Sequence, residues 1–137
     1  TDEQALAEVQ QKQAIDYIKN KYVGIYSKTP RQRQYYISLA NDLEQQMNKS
    51  KTDFKALYGT IKNLTDTELL AVYIEFGTRM NYEWTNEQGD LVDWIIMEDK
   101  MSPLDFFKRS DVIAIAQKMY RLSGIIPSAK KLLPYAY

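Results

Sequence analysis

The chain contains no cysteine and no histidine among its 137 residues. Without cysteine it cannot form disulfides, use a catalytic thiol or hold a metal through sulfur ligands. Without histidine it lacks the base of a Ser-His-Asp triad, the commonest zinc ligand and the usual proton shuttle at neutral pH. Neither a glycine-rich phosphate loop nor a nucleophile elbow occurs in the sequence. These absences predict a protein that is not an enzyme and that uses no cofactor, metal ion or small-molecule substrate.

Long apolar segments and chain-breaking residues are also scarce. The longest apolar run is Leu69–Ile74, whereas a membrane-spanning helix needs about 20 apolar residues. The first residues, Thr1 to Gln4, provide neither the basic nor the apolar region of a signal peptide. Five glycines and four prolines are too few for a low-complexity chain. The sequence therefore predicts a single folded domain that does not span a membrane.

Apolar residues recur at helical spacing along nearly the whole chain. An example is the stripe of Ile15, Ile18, Tyr22 and Ile25, on a helix predicted from about residue 2 to residue 22. No segment alternates apolar and polar residues for long enough to predict a strand. The predicted fold class is therefore all-α: a compact helical bundle of about five or six helices with an N-terminal helix-turn-helix arm.

Several short motifs predict where helices begin and what interrupts them. Thr29-Pro30 and Ser102-Pro103 each place a capping residue before a proline, which favours a helix that starts at the proline. Thr65–Glu68 has the pattern of a capping box, and Asp90 precedes a further apolar helical segment. Gly77 falls within a predicted helix, where it costs about 1 kcal/mol relative to alanine and indicates a closely approaching backbone.

The 18 basic and 18 acidic residues cancel in number but are separated along the chain. Residues 17–41 carry five bases and no acid, whereas residues 65–99 carry nine acids and one base. The acidic segment matches no EF-hand pattern. We interpret it as a solvated surface, or as a face that meets the basic segment of a neighbouring copy.

The basic segment combines its five bases with five of the chain's eleven tyrosines and with glutamines. Bases can neutralise phosphates, and hydroxyl or amide groups can donate hydrogen bonds to the backbone oxygens of a nucleic acid. The alternative is a solvated helix face whose tyrosines pack in the core. The candidate DNA-binding residues are Lys19, Lys21, Lys28, Thr29, Arg31, Gln32, Arg33, Gln34 and Tyr35.

Two short motifs add a resemblance to a known family. The first is Thr29-Pro30-Arg31 followed by Gln34 and Tyr35, and the second is Tyr73-x-x-Phe76-Gly77-x-Arg79-Met80. Both are similar to segments of the coat (major capsid) proteins of rod-shaped and filamentous double-stranded DNA viruses of archaea. The resemblance implies an all-α coat subunit whose N-terminal helices wrap duplex DNA, held in the A form inside a helical filament. The matching DNA-facing positions are Lys28, Thr29, Arg31, Arg33, Gln34 and Tyr35.

The coat-protein hypothesis divides the chain into two functional regions. Residues 1–41 form an N-terminal arm that wraps double-stranded DNA without sequence preference, and residues 42–137 form a helical core that packs subunits together. The protein is then a structural component of the virion that self-associates, alone or with a second related coat protein. The candidate subunit-packing residues are Tyr73, Phe76, Met80, Tyr135 and Tyr137.

The same region supports a second hypothesis. The pattern Thr29-x-Arg31-Gln32-x-x-Tyr35-Tyr36-x-x-Leu39 resembles a helix common in small phage and plasmid proteins. That resemblance implies an accessory or inhibitor protein of the host cytoplasm, which binds a host protein through its acidic segment as a mimic of nucleic acid. The two hypotheses differ in the partner they predict: double-stranded DNA for the first and a host protein for the second.

Overall fold

The computed structural model describes residues 2–49, 52–81, 87–100 and 109–136. The all-α prediction is confirmed, although two three-residue strands pair antiparallel with Met80 opposite Gln88. Strands this short leave no detectable alternation in the sequence. With η denoting a 3-10 helix, the elements are α1 (Asp2–Lys21), η1 (Ile25–Lys28), α2 (Arg33–Met47), α3 (Phe54–Ile61), α4 (Asp66–Phe76), β1 (Arg79–Asn81), β2 (Glu87–Gly89), α5 (Leu91–Lys100), α6 (Arg109–Tyr120) and η2 (Pro127–Tyr135).

Helix α4 lies at the centre of the bundle. Every residue from Glu68 to Ile74 is buried, as is Phe76. A helix that is apolar on all sides must be enclosed by other elements. Accordingly α2 packs along α4, and α1 and η1 also contact it. Around this centre, α6 packs against α3 and η2, while α5 packs against η2 and α2.

A hydrogen-bonded network fixes the N-terminal end of α4. The predicted capping box is confirmed: Thr65 Oγ1 accepts from the Glu68 amide at 3.1 Å, and Glu68 Oε1 accepts from the Thr65 amide at 3.2 Å. The second Glu68 oxygen accepts a hydrogen bond of 2.8 Å from the buried Tyr36 hydroxyl of α2. Burial and this carboxylate raise the pKa of Tyr36, so its hydroxyl remains a donor. One acidic side chain therefore joins the cap of α4 to α2.

At its other end α4 stops at Gly77, so the prediction that Gly77 lies within a helix is wrong. Its φ of 57° is a conformation that glycine adopts far more readily than other residues. The chain then places Arg79 back over the helix end, where its guanidinium donates to the carbonyls of Phe76 at 2.9 Å and Glu75 at 3.3 Å. The same guanidinium pairs with Glu44 of α2 at 2.9 Å. Arg79 thus satisfies carbonyls that a helix terminus leaves without partners.

Helix α2 begins at Arg33 and not at Pro30. The reason lies in the Thr29 hydroxyl, which is within hydrogen-bond distance of the carbonyls of Tyr26 (3.1 Å) and Arg31 (2.9 Å). It therefore closes the turn after η1 and does not accept from a helical amide. The predicted start of this helix at Pro30 is therefore three residues early.

The other boundary predictions have mixed outcomes. As predicted, α5 follows Asp90, whose Oδ1 accepts from the Asp93 amide at 2.9 Å. Ser102-Pro103 lies outside the described residues. The division between arm and core at residue 41 falls inside α2. Among the helices of the described ranges, none combines the length and the apolar character needed to cross a membrane.

Replacing Gly77 by alanine is expected to lower the free energy of unfolding by about 1–3 kcal/mol, because alanine is strained at this positive φ. The added Cβ would meet nothing closer than the Ile74 carbonyl oxygen at 3.9 Å, so the effect isolates backbone strain from steric overlap. Gly59→Ala, at an uncrowded position in α3, is the control and should stabilise by about 0.5–1 kcal/mol. Urea denaturation measures both. A Gly77→Ala protein as stable as the parent would contradict this description of the helix end.

Candidate nucleic-acid interface

The candidate bases are carried by the end of α1, by η1 and by the start of α2. Buried Ile18 and Ile25 anchor this part of the chain to the core, and Tyr36 anchors it from the α2 side. The charged side chains at the intervening positions are consequently directed to solvent. We call the set the basic face; its members, all exposed, are Lys19, Lys21, Lys28, Arg31 and Arg33.

Two adjoining depressions lie in the basic face. The larger, with a volume of about 410 Å³, is lined by Lys21 and Lys28. The smaller, of about 150 Å³, is lined by Lys19 and Arg33. Tyr22 and Ile25 line both depressions, so they separate one from the other. The fold therefore brings four of the five bases, distant by up to 14 positions in the chain, around neighbouring concave surfaces.

The tyrosines of this region are divided between core and surface. Tyr36 is buried, Tyr22 and Tyr26 are half-buried, and Tyr17 and Tyr35 are exposed. Three of their rings make cation–π contacts with bases of the basic face. Lys21 Nζ lies 5.7 Å from the centre of the Tyr22 ring, and the Arg31 guanidinium lies 5.0 Å from that of Tyr35. Such cation–π contacts orient a charge without neutralising it.

Arg33 differs from the other members of the basic face because its charge is compensated. Its Nε donates to both oxygens of Glu75, at 2.9 Å and 3.3 Å. The Glu75 side chain is buried, and its carboxylate raises the pKa of Arg33. Beside this pair, burial and then the Glu75 charge raise the pKa of Tyr26 to about 12. Arg33 is thus committed to a contact between α2 and α4, which weakens it as a ligand for phosphate.

Lys19, Lys21, Lys28 and Arg31 have no acidic partner in the part of the chain that the structure describes. Some bases elsewhere are paired, Arg79 with Glu44 and Lys131 with Asp93, whereas other exposed lysines such as Lys55 and Lys62 are unpaired as well within the described residues. What distinguishes the basic face is that its unpaired bases lie close together. Lys118 donates to the Leu64 carbonyl at 2.6 Å. An exposed cation without an internal partner retains its charge for an external anion. Apart from Arg33, the charges of the basic face are therefore uncompensated within the described residues.

The uncharged candidates on this surface are only partly available to a ligand. Gln32, Gln34 and Tyr35 are exposed, as a role in hydrogen bonding to DNA requires. Thr29 is half-buried, and its hydroxyl donates within the turn. We therefore correct the assignment of Thr29 as a DNA ligand, because its single hydroxyl proton is already donated to backbone carbonyls of the turn.

The acidic segment does not form one solvated acidic surface. Glu68 and Glu98 are buried, and Thr52 donates to Glu98 at 2.6 Å. Glu75 pairs with Arg33, and Asp66 pairs with Arg121 at 3.2 Å. The side chains of Glu83 and Glu87 lie outside the described residues. Within the described ranges no three acidic side chains are grouped as metal ligands. Much of this negative charge is thus paired or buried inside the subunit.

Two more acids, Asp90 and Asp93, belong to a hydrogen-bonded cluster at the start of α5. The Tyr73 hydroxyl donates to Asp90 Oδ2 at 2.7 Å, while Asp93 accepts from Lys131 and from Gln11 of α1. Burial, followed by the charge of Asp93, raises the pKa of Asp90. Burial also acts to raise the pKa of Asp93, but hydrogen bonds from Lys131 and Gln11 outweigh it and hold that pKa below its ordinary value. The cluster joins α1, α4, α5 and η2.

The structure corrects the predicted subunit-packing surface. Tyr73 and Phe76 are buried in the subunit's own core, where Phe76 packs edge-on against Trp94 with ring centres 5.6 Å apart. They cannot contact a neighbouring subunit without unfolding. Met80 is half-buried in β1, and Tyr135 is half-buried against the core. Tyr137 lies outside the described residues.

Exposed apolar side chains occur elsewhere, at positions that the sequence analysis did not single out. Leu6, Val9 and Tyr17 are 57%, 52% and 66% exposed. All three lie on α1, on the side opposite Ile15 and Ile18, the residues that α1 buries. In the sequence these residues form a second apolar stripe on α1. It has fewer apolar residues per turn than the stripe that contains Ile15 and Ile18, and the prediction considered only the latter.

Comparisons with known proteins identify no relative of this chain. No family model matches it, and neither a curated protein nor a solved structure matches it.

The Tyr73–Asp90 hydrogen bond predicts a pH-dependent mutational effect. Tyr73→Phe should lower the free energy of unfolding by about 1–3 kcal/mol at pH 7, because a buried carboxylate loses a donor. The hydroxyl stabilises the charged form of Asp90, so its removal raises the pKa of Asp90 further. The destabilisation should therefore be full above that pKa and shrink as the pH falls through it.

Urea denaturation of both proteins at a series of pH values measures this difference. Tyr58→Phe is the control, since the Tyr58 hydroxyl has no hydrogen-bond partner within the described ranges and should show a small effect independent of pH. A Tyr73→Phe effect of equal size at pH 7 and pH 4 would exclude a charged Asp90 as the acceptor.

Proposed function

We propose that this protein is a structural coat subunit that binds double-stranded DNA through its basic face and assembles side by side into a helical filament. The observation that carries the proposal is the uncompensated charge of Lys19, Lys21, Lys28 and Arg31. A cluster of exposed cations without internal partners attracts an external polyanion. The resemblance of Thr29-Pro30-Arg31 and of the Gly77 segment to archaeal viral coat proteins supports the same function, with the virion as its location.

The chemistry of the basic face favours contact with phosphates over the reading of bases. Lysines supply point charges without the fixed geometry that distinguishes one base pair from another. Gln32 and Gln34, exposed beside them, can donate to sugar or phosphate oxygens. Binding of this type depends on charge and is independent of sequence, which is what coating a genome requires.

The packing of α2 affects how DNA is held. Because α2 lies along α4 and contributes Tyr36 and Ala40 to the core, the residues before position 41 are not a detached arm. We therefore place the duplex across the basic face, against the two depressions. Assembly of neighbouring subunits along the DNA then encloses it.

The competing hypothesis of a host-protein inhibitor depends on an acidic surface that mimics nucleic acid. Glu68, Glu75, Asp90 and Glu98 are buried or paired inside the subunit and so contribute little to such a surface. No observation on the described residues favours it over the coat function.

Binding to a random-sequence duplex of about 30 base pairs, titrated against salt, tests the proposal. Four phosphate contacts predict a slope of log affinity against log salt of about −3.6 on B-form DNA. Negative-stain images of the same mixture should show filaments. Absence of binding at about 50 mM salt, where such contacts are strong, would contradict the proposal.

Replacing single bases by alanine identifies which residues contact phosphate. Lys28→Ala or Arg31→Ala should each reduce the magnitude of the slope by about 0.9, since each removes one phosphate contact. Arg33→Ala should reduce it by less, because Glu75 already compensates that charge. Lys62→Ala, at an exposed lysine that directly follows α3, is the matched control and should leave the slope unchanged. A loss equal to that of Arg31→Ala in the control would show that binding does not depend on the basic face.

A further inference from the structure

The outward side of α1 is an apolar surface with no partner within the described part of the subunit. At 100° per residue, Leu6, Val9, Gln13 and Tyr17 fall within about 80° of one another around the helix. Leu6, Val9 and Tyr17 are each more than half exposed, as the exposures given above show. Three large apolar side chains on one stripe of one helix form a surface that association would bury.

The charges at the two ends of α1 indicate what covers this stripe. Asp2 and Glu3 occupy the first turn, and Lys19 and Lys21 occupy the last. A helix with one acidic and one basic end is complementary to a copy of itself that runs in the opposite direction. Glu3 and Lys21 lie at the same angle around the helix, both about 60° from Leu6, so an antiparallel copy brings these opposite charges together.

We propose that α1 of one copy packs antiparallel against α1 of a second copy across a two-fold axis. The register places Leu6 of each copy opposite Tyr17 of the other, and Glu3 opposite Lys21. Near the axis, Gln10 of one copy faces Gln13 of the other, where their amides can hydrogen-bond to each other. Each contact occurs twice, as a two-fold interface requires.

The small area of the α1–α1 contact limits the affinity of the dimer. A helix of 20 residues is about 30 Å long. One helix face of that length is smaller than the roughly 800 Å² per partner of a standard stable interface. The dimer is therefore weak and depends on protein concentration. It supplies one subunit contact for the assembly proposed above, and it rests on that proposal only for its biological role. In that assembly Lys21 pairs with Glu3 of the second copy, which leaves Lys19, Lys28 and Arg31 for phosphate and a salt slope of about −2.7.

The first experiment is sedimentation equilibrium over a concentration series, at low salt and without DNA. The parent chain should associate to a dimer, and Leu6→Gln with Val9→Gln should weaken association by about tenfold or more, because burial of both side chains is lost. Leu133→Gln, an exposed apolar residue of η2, is the matched control and should associate like the parent. A parent chain that is monomeric up to about 1 mM, or a double variant that dimerises unchanged, would overturn the proposal.

Charge reversal tests the antiparallel direction. Glu3→Lys and Lys21→Glu should each weaken self-association several-fold, because each creates two like-charge contacts per dimer. An equimolar mixture of the two variants should recover the affinity of the parent, since every end contact in the mixed dimer again joins opposite charges. A Glu3→Lys protein that associates like the parent, or a mixture without recovery, would overturn the antiparallel register. Circular dichroism of each variant confirms that the fold is retained.

The coat function and the α1 dimer can be contradicted independently of each other. The α1 contact is measured without DNA, so a protein that dimerises but does not bind the duplex contradicts the coat function and leaves this inference standing. A protein that binds the duplex with the predicted salt slope but remains monomeric contradicts only the α1 contact.

Discussion

A helix without a solvent-facing side has to be enclosed, and enclosing α4 determines the positions of its neighbours. The residues from Glu68 to Ile74 point in all directions around the helix axis, and each direction is covered by another element. The hydrogen bond between Tyr36 and Glu68 then fixes α2 on one side of it. Because Glu68 is also part of the N-terminal cap, the start of α4 and the position of α2 depend on one carboxylate. The orientation of the basic face follows, since α2 begins three residues before Tyr36.

The chain's zero net charge conceals an uneven distribution of compensated and uncompensated groups. Several acids of the segment 65–99 are buried or paired in the described part of the structure: Asp66 and Asp93 pair with bases late in the chain, and Glu75 pairs with Arg33. The bases before position 33 have no such partners. A surface potential depends on which charges remain unpaired, and not on the sum over the chain. The separation of charge along the sequence is therefore retained at the surface in part: within the described residues, four bases of the segment 17–41 are exposed and unpaired, whereas several acids of the segment 65–99 are buried or paired.

Local rules predicted those parts of the fold in which a residue interacts with its own neighbours. The capping box at Thr65 and the cap at Asp90 are of this kind, and the helical spacing of Ile15 and Ile18 likewise predicted the buried side of α1. Predictions failed where a distant partner decides the outcome. Gly77 resembled a helix-interior glycine because nothing nearby in the sequence reveals that Arg79 will return over the helix end.

The candidate site shows the same limit. Exposure of Lys19, Lys28 and Arg31 could be predicted from residue type, because lysine and arginine are almost never fully buried without a partner. The compensation of Arg33 could not, because Glu75 is 42 positions away. Tyr73 and Phe76 were assigned to a subunit interface because an apolar helix face does not reveal whether its partner is the same chain or another. Only the closure of the core around them distinguishes the two cases.

The contacts of Arg79 restrict fraying at the C-terminal end of α4. The last turn of a helix is ordinarily the part that frays first, because its carbonyls have no intrahelical donors. In α4 those carbonyls are bonded to Arg79, whose guanidinium also contacts Asn41 and Glu44, and whose own carbonyl accepts from the Trp94 indole at 3.0 Å. Fraying at this end would require α2 and α5 to release their contacts at the same time. The amide protons of this last turn should therefore exchange with solvent together with the rest of the core, as one cooperative unit.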